Sequence, residues 1–321
     1  MKIDKFVLAI VLTIGIAYFF PSFGDGESRI ALDRIASIGI SMIFFFYGLK
    51  LSLKQLVSGL KNWRLHLLVQ LSTFLLFPLL VIVFYPFFQG DTTESVWLAF
   101  LFLAALPSTV SSSVVMVSLA KGNVSAAIFN ASISGLIGIV ITPLWVGIFL
   151  QQSSVEYSLS EIYLKLLFEI LLPVVLGLFL QKYLGKFARK YTAYLTWFDK
   201  SIILLIIYKS FAESFEEGVF TTVKGIDLVL ISLGVVTLFC VVYFTIGYIS
   251  RRLNFNREDQ ITAQFSGTKK SLVHGTVFSK VLLPESLALG LMLLPLMLFH
   301  AFQILVISFI ATKAGRFKNR P

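Results

Sequence analysis

The chain has 321 residues, 57% of them aliphatic, aromatic, Met or Cys and only 14% charged, with a mean hydropathy of +0.88. A soluble domain is about 45–50% apolar and about a quarter charged, so the composition excludes a soluble globular fold and specifies an integral membrane protein. The formal charge of +10 raises nucleic acid as a partner, but the placement of the charges points elsewhere.

About 17–25 apolar residues are needed to cross a bilayer as a helix. On that length ten transmembrane helices are expected, at 5–23, 35–50, 65–88, 96–120, 124–150, 161–183, 196–213, 226–250, 258–283 and 286–312. The first imitates a secretory signal, with Lys2 and Lys5 ahead of an apolar core over 6–20. No small-x-small cleavage site follows and many further spans do, so it reads as a membrane helix, cleavage being the alternative. Short connections and no low-complexity tail make 1–321 one membrane domain. Cys240 lies in an apolar run with no second cysteine, and His66, His274 and His300 are well separated, so no metal cluster is visible.

Cytoplasmic loops are enriched in Lys and Arg. Nineteen basic residues fall on one side: Lys2, Lys5, Lys50, Lys54, Lys61, Arg64, Lys121, Lys182, Lys186, Arg189, Lys190, Lys200, Arg251, Arg252, Arg257, Lys313, Arg316, Lys318 and Arg320. The opposite loops hold only Arg29, Arg34 and Lys224, together with Asp25, Glu27, Asp33, Asp91, Glu94, Glu156, Glu161, Glu213, Glu216, Glu217, Asp227 and Glu285. Both termini are therefore expected in the cytoplasm, with the protein in the inner (plasma) membrane of a bacterium. The basic charge is a topogenic signal and not a nucleic-acid footprint. Five spans followed by five place the second half upside down relative to the first. No strong residue-level repeat accompanies this five-plus-five inverted repeat.

Two of the ten segments are interrupted halfway, the fourth at Pro107-Ser108-Thr109-Val110-Ser111-Ser112-Ser113 and the ninth at Ser266-Gly267-Thr268-Lys269-Lys270-Ser271. Under the inverted repeat they occupy equivalent places. Pro107 removes a backbone donor and obstructs the carbonyl four residues earlier. The hydroxyls of Ser108, Thr109, Ser111, Ser112 and Ser113 then either repair a simple kink or offer oxygen ligands. Two central lysines are harder to place in lipid, since insertion of one costs roughly 2.5–3.5 kcal/mol. One of them reaches a cytoplasmic helix end if the ninth span starts late. Otherwise an ammonium, Lys269 or alternatively Lys270, faces a polar crossing point. Non-helical polar backbone at membrane depth persists only where protein or a wet cavity surrounds it, and paired broken helices mark the substrate site of secondary transporters.

Outside these segments, Lys165 with Glu169 and Lys209 with Glu213 are spaced for i, i+4 pairing, and Lys280 sits near an outer end where it can snorkel. His274 and His300 read as hydrogen-bonded fillers. No G-x-x-x-x-G-K-[ST], H-E-x-x-H or G-x-S-x-G is present, which argues against an ATP-driven pump and against zinc or serine hydrolysis. Ser271 and Lys269 or Lys270 do not share a helix face, so a Ser-Lys protease dyad is weak. The chain does not read as an enzyme.

Val115-Met116-Val117-Ser118-Leu119-Ala120-Lys121-Gly122-Asn123, preceded by Leu106-Pro107 and followed by Thr142-Pro143, resembles the fourth and fifth helices of the bile acid:sodium symporter superfamily. Phe265-Ser266-Gly267-Thr268-Lys269-Lys270-Ser271-Leu272 is similar to the F-x-x-[ST]-x-K-S-L pattern of its SBF-like branch. The resemblance covers essentially the full chain. It implies panel helices over 5–50 and 161–213, core helices over 65–150 and 226–312, and crossed discontinuous helices four and nine. It further implies two sodium ions held near that crossing by Ser, Asn and Thr of helices four and five and by Glu and Gln of helix nine. Here the Glu position matches Gln264, the Gln position Thr268 and a following Asn Lys269, while Ser112 and Ser113 match the Ser-Asn pair with a one-residue ambiguity. The helix-five positions match Ala127 and Ala131, with Asn130, Ser132 and Ser134 nearby. Replacing the carboxylate and adding an ammonium shifts the local charge by two units, so a fixed lysine can stand where relatives bind sodium.

The expected function is secondary transport of a small organic anion, of steroid or carboxylate type, coupled to sodium or another ion. The substrate and ion site is expected at Pro107, Ser108, Thr109, Ser111, Ser112, Ser113, Asn130, Gln264, Gly267, Thr268, Lys269, Lys270 and Ser271, with Ser112, Ser113, Gln264 and Thr268 as sodium ligands. The expected partners are the organic anion and the lipid bilayer, and no cofactor is expected beyond sodium as a coupling ion. A non-transporting regulator of cation homeostasis with the same fold is the alternative.

Overall fold

The computed structural model describes residues 5–23, 32–51, 62–87, 91–109, 111–150, 164–216, 218–221, 224–284 and 287–317. Of the charges used above, Lys2, Lys54, Lys61, Lys318, Arg320, Asp25, Glu27, Arg29, Glu156, Glu161, Glu217 and Glu285 lie outside the described residues, as do the side chains of Asp91 and Arg316; so do Val110 and the Ser111 side chain of the first interruption. Every regular element among the described residues is helical. Among the described residues six helices are long and apolar enough to cross a membrane: Leu32–Lys50, Trp63–Phe87, Val124–Leu150, Leu164–Lys190, Gly225–Arg252 and Leu289–Gly315. Large apolar side chains such as Phe19, Phe179 and Phe244 point outward, as they do where the surrounding solvent is lipid. This is a multi-pass integral membrane protein.

The order is α1 (Lys5–Phe19), α2 (Leu32–Lys50), α3 (Trp63–Leu71), α4 (Phe77–Ile82), α5 (Asp91–Ala105), α6 (Ser111–Leu119), α7 (Val124–Leu150), α8 (Leu172–Lys190), α9 (Thr192–Glu216), α10 (Gly225–Arg252), α11 (Arg257–Gly267), α12 (Leu272–Leu282) and α13 (Leu289–Phe317). A π-helical turn, Ser72–Leu76, joins α3 to α4, and another, Leu167–Leu171, leads into α8. The fourth and ninth expected spans are each divided, into α5 with α6 and α11 with α12. None of those four pieces has the length of a full crossing; the first expected span is the 15-residue α1, and the seventh, α9, is 25 residues long but carries Asp199, Lys200 and Lys209.

The chain forms two compact units. One comprises 1–51, 147–224 and 276–293. Within it α2 and α8 meet backbone to backbone at Gly48 and Gly177. A Cβ on Gly177 would strike the Phe45 carbonyl and stand 2.9 Å from the Leu49 nitrogen, and one on Gly48 would strike the Val174 carbonyl. Small residues of this kind let membrane helices gain dispersion contacts where lipid offers no hydrophobic drive. Charges sit at the two ends of α2. Lys50 pairs with Asp199 at 3.4 Å, and Asp33 takes both Lys209, at 2.7 Å, and Lys280, at 2.5 Å. Lys209 also holds Glu213 at 2.7 Å, the pair its spacing promised. Lys280 is therefore an ion-pair partner and does not simply snorkel. Lys165 and Glu169 form no direct ion pair among the described residues, and Glu169 Oε2 is buried without a hydrogen bond. Glu169 lies in the π-helical turn Leu167–Leu171.

The other unit comprises 52–146, 225–275 and 294–321. Its ordering polar joint lies where α6 runs out. Lys121 adopts a left-handed conformation (φ 59°), Gly122 N–H donates to Val117 at 2.8 Å and Lys121 N–H to Ser118 at 3.0 Å, a Schellman stop. Gly122 is required by space, since a Cβ would lie 2.9 Å from Val117 and 3.0 Å from Ile261 and Thr262. Asn123 then donates to Asp259 at 2.8 Å, and Asn62 donates to the other oxygen of the same carboxylate at 2.9 Å. Asp259 thereby ties three chain segments at one end of the unit.

Overpacking a tight helix contact costs about 1–3 kcal/mol. Gly177→Val should lower the unfolding temperature of the detergent-purified protein by several degrees. Gly15→Ala, at a glycine with open space around it, should leave it unchanged.

Candidate functional site

The two divided helices meet inside the second unit, and the meeting is dictated by carbonyls that prolines leave unpaired. Pro107 has no N–H for Leu103, whose carbonyl instead accepts Leu106 N–H at 3.3 Å. Ser108 N–H, the helical partner of Ala104, turns to Ser134 Oγ at 3.0 Å. The Ala105 carbonyl accepts the Thr142 hydroxyl at 2.8 Å. The Ala104 and Leu106 carbonyls accept Lys270 Nζ at 2.5 and 2.8 Å. The Pro107 carbonyl accepts Ser271 N–H at 2.9 Å. Every carbonyl from 103 to 107 thus finds a donor, as buried backbone requires.

The second break is held just as tightly. Lys270 N–H donates to Gln303 Oε1 at 2.9 Å, and Gln303 Nε2 donates back to the Lys270 carbonyl at 2.8 Å. Ser108 Oγ donates to the Ser266 carbonyl at 2.7 Å, so the two breaks are joined in both directions. Ser271 Oγ receives His274 N–H at 3.3 Å and pairs with its Nδ1 at 2.9 Å, capping α12. Gly267 must be small because a Cβ there would lie 2.9 Å from Ile246. The Pro107 ring packs over Gly138, where a Cβ would come within 2.8 Å.

The adjacent lysines diverge. Lys270 is consumed by backbone carbonyls. Lys269, also fully buried (0% exposed), reaches Ser112 Oγ at 3.4 Å. Thr109 Oγ1 contacts Ser112 Oγ at 2.7 Å and Ser113 Oγ at 2.9 Å, so Lys269 faces a cluster of three hydroxyls at the start of α6. Among the described residues no carboxylate pairs with it. Ser266 Oγ is buried without a hydrogen-bond partner.

Of the expected site residues, the structure brings Pro107, Ser108, Thr109, Ser112, Ser113, Lys269, Lys270 and Ser271 into this one network of direct contacts. Asn130 pairs elsewhere, accepting Gln70 Nε2 at 3.1 Å and donating to the Ala126 carbonyl at 2.9 Å. Gln264 Nε2 donates to the Tyr243 carbonyl at 3.2 Å, and the Thr268 hydroxyl donates back to the Gln264 carbonyl. The residues offered for sodium therefore have protein partners: Ser112 and Ser113 share Thr109, and Gln264 turns to α10. Sequence reasoning missed Gln303, Thr73 and Gln70, and it left Ser266, the first residue of the second interruption, out of the expected site. The available signal was a lone amide or hydroxyl inside an apolar helix, which by itself does not say what it serves.

A buried carbonyl left without its donor costs about 1–3 kcal/mol. Ser108→Ala strips the Ser266 carbonyl and should lower thermal stability by that order. Gln303→Leu strips both a carbonyl and an N–H of Lys270 and should lower it further, in the same calorimetric measurement.

Residues 4–316 match the SBF-like CPA transporter family. The chain is 36% identical over 313 residues to "Uncharacterized protein PA2026" of Pseudomonas aeruginosa, covering 98% of this chain and 93% of that one. It is 35% identical over 314 residues to "Putative symporter YfeH" of Escherichia coli, with the same coverage. It is 30% identical over 314 residues to "Sodium/bile acid cotransporter 7" of Rattus norvegicus, covering 94% of this chain and 90% of the rat protein. With two divided helices joined at a buried polar crossing and a family match along nearly its whole length, the chain belongs to the SBF-like CPA transporter family.

Proposed function

We propose that this protein is a secondary active transporter of a small organic anion, symporter-like, coupled to sodium or another ion, with its substrate site at the crossing of the two divided helices. The observation that carries this reading is Lys269, a fully buried lysine aimed at three hydroxyls with no carboxylate partner among the described residues. Helix α6 begins at those hydroxyls, and a helix N-terminus carries partial positive charge. Lysine and helix end therefore favour negative charge at the same place, and a buried cation without a protein counter-charge calls for an anion from outside. Ser266, whose carbonyl accepts Ser108 Oγ, adds a buried hydroxyl without a hydrogen-bond partner. The relatives named as symporter and as sodium/bile acid cotransporter support a solute of this class.

The wider architecture proposed with it is ten spans in an inverted five-plus-five arrangement, panel helices over 5–50 and 161–213, core helices over 65–150 and 226–312, and both termini in the cytoplasm. Counting each divided helix as one span, and the charge asymmetry of the loops, support it. Cysteines placed at Glu94, Glu156 or Glu217 should react with an impermeant thiol reagent applied outside intact cells, and those at Lys54, Lys190 or Arg252 should not. Labelling of the second set would overturn the orientation.

Counterflow in proteoliposomes tests transport itself. Vesicles preloaded with bile acids, steroid sulfates or short carboxylates should accumulate the matching labelled anion. Losing a charge-assisted hydrogen bond costs about 1.5–3 kcal/mol, so Lys269→Gln should weaken anion binding roughly 10- to 150-fold. Sodium-driven uptake that survives Lys269→Gln would remove the lysine from the site. No substrate-dependent flux for any anion would favour a non-transporting regulator of cation homeostasis.

A further inference from the structure

Lys270 is a side chain that the transport reading does not use. Its Nζ lies 2.5 Å from the Ala104 carbonyl, 2.7 Å from Thr73 and 2.8 Å from Leu106, with the Phe77 ring centroid at 4.2 Å. Three acceptors converge on it, as many as an ammonium has N–H groups to donate. The residue is fully buried, and no carboxylate pairs with it among the described residues.

Each oxygen is spare for a reason written in the chain. Ala104 and Leu106 stand at the broken end of α5, where Pro107 interrupts the helical ladder. Thr73 lies in the π-helical turn. There Phe77 N–H goes to Ser72, and the next residue in line, Pro78, has no N–H to offer. The backbone therefore builds a dehydrated cage of three carbonyl oxygens and one aromatic face, at the negative end of a helix dipole. Such a cage suits a monovalent cation. A divalent ion would bring a second charge with no carboxylate to balance it.

We propose that Thr73, Ala104 and Leu106 form a monovalent-cation site that this chain fills permanently with the ammonium of Lys270. The crossing is then assembled without a free ion at this point, and any ion that couples transport binds elsewhere. With the oxygens 2.5–2.8 Å from the nitrogen, the cage admits ammonium or potassium once the side chain is removed. This inference stands on the cage alone and does not depend on the chain transporting anything.

The test compares wild-type, Lys270→Ala and Lys270→Met protein, purified in detergent with choline chloride. Ammonium chloride or potassium chloride then replaces choline at constant total salt. Ions that bind only the folded state raise its unfolding temperature saturably. Lys270→Ala should unfold well below wild type in choline and recover, saturably, with ammonium or potassium. Wild type should show no such recovery because its cage is full. Lys270→Met should be destabilised and stay so, because the methionine side chain occupies the cage without charge. Should Lys270→Ala fail to survive purification in choline, the yield of folded protein extracted in potassium against choline reads the same dependence. A Lys270→Ala protein equally unstable, or unfolded, in all three salts overturns the proposal. So does a response shared with wild type or with Lys270→Met.

Discussion

Everything at the crossing follows from one constraint: a backbone carbonyl away from water must find a donor. Dividing a helix at Pro107 leaves a row of carbonyls bare, and the chain answers with a hydroxyl from Thr142, an N–H from Ser271 and the ammonium of Lys270. Those donors come from other helices, so satisfying one break recruits its neighbours. Hydrogen bonding here does the work that apolar burial does in a soluble core, because lipid is as apolar as the side chains it would compete with.

The two neighbouring lysines show how backbone geometry separates roles that look alike in sequence. Gln303 grips the Lys270 peptide from both sides, donor to acceptor and acceptor to donor, which sets the direction of that residue. Lys270 then reaches α5 and the π-helical turn, and its charge is shared by carbonyl dipoles. Lys269 emerges toward α6, where a helix start and three hydroxyls offer no negative partner. One lysine closes the structure at the break. The other faces hydroxyls with no carboxylate partner among the described residues, and the proposed anion site rests on that asymmetry.

The first unit uses a different economy. Glycines bring α2 and α8 into backbone contact, while charges gather at the ends of α2, around Asp33 and around Lys50. Three carboxylates, Asp33, Asp199 and Glu213, pair there with three lysines, Lys50, Lys209 and Lys280. Two buried carboxylate oxygens stay outside these pairings, Glu169 Oε2 and Asp199 Oδ1, neither with a hydrogen-bond partner among the described residues.

Sequence alone determined the solvent and the places where helices fail. Composition and the length of apolar runs specified a membrane protein, and Pro107 with the polar run Ser266–Ser271 marked both breaks, because a missing N–H and a central charge are local facts readable in order. The motif around Lys121-Gly122-Asn123 was visible, yet its role in stopping α6 and engaging Asp259 was not. That Asn130 accepts a hydrogen bond from Gln70 and that Gln264 Nε2 donates to the Tyr243 carbonyl was not readable from their positions. Only the tertiary structure decided which lysine is held and which faces hydroxyls. The acceptor that Thr73 supplies to Lys270 is 197 residues away in sequence, and it is spare only because a π-helical turn meets Pro78. A side chain's destination depends on which distant groups the fold leaves unpaired, and no local pattern records that.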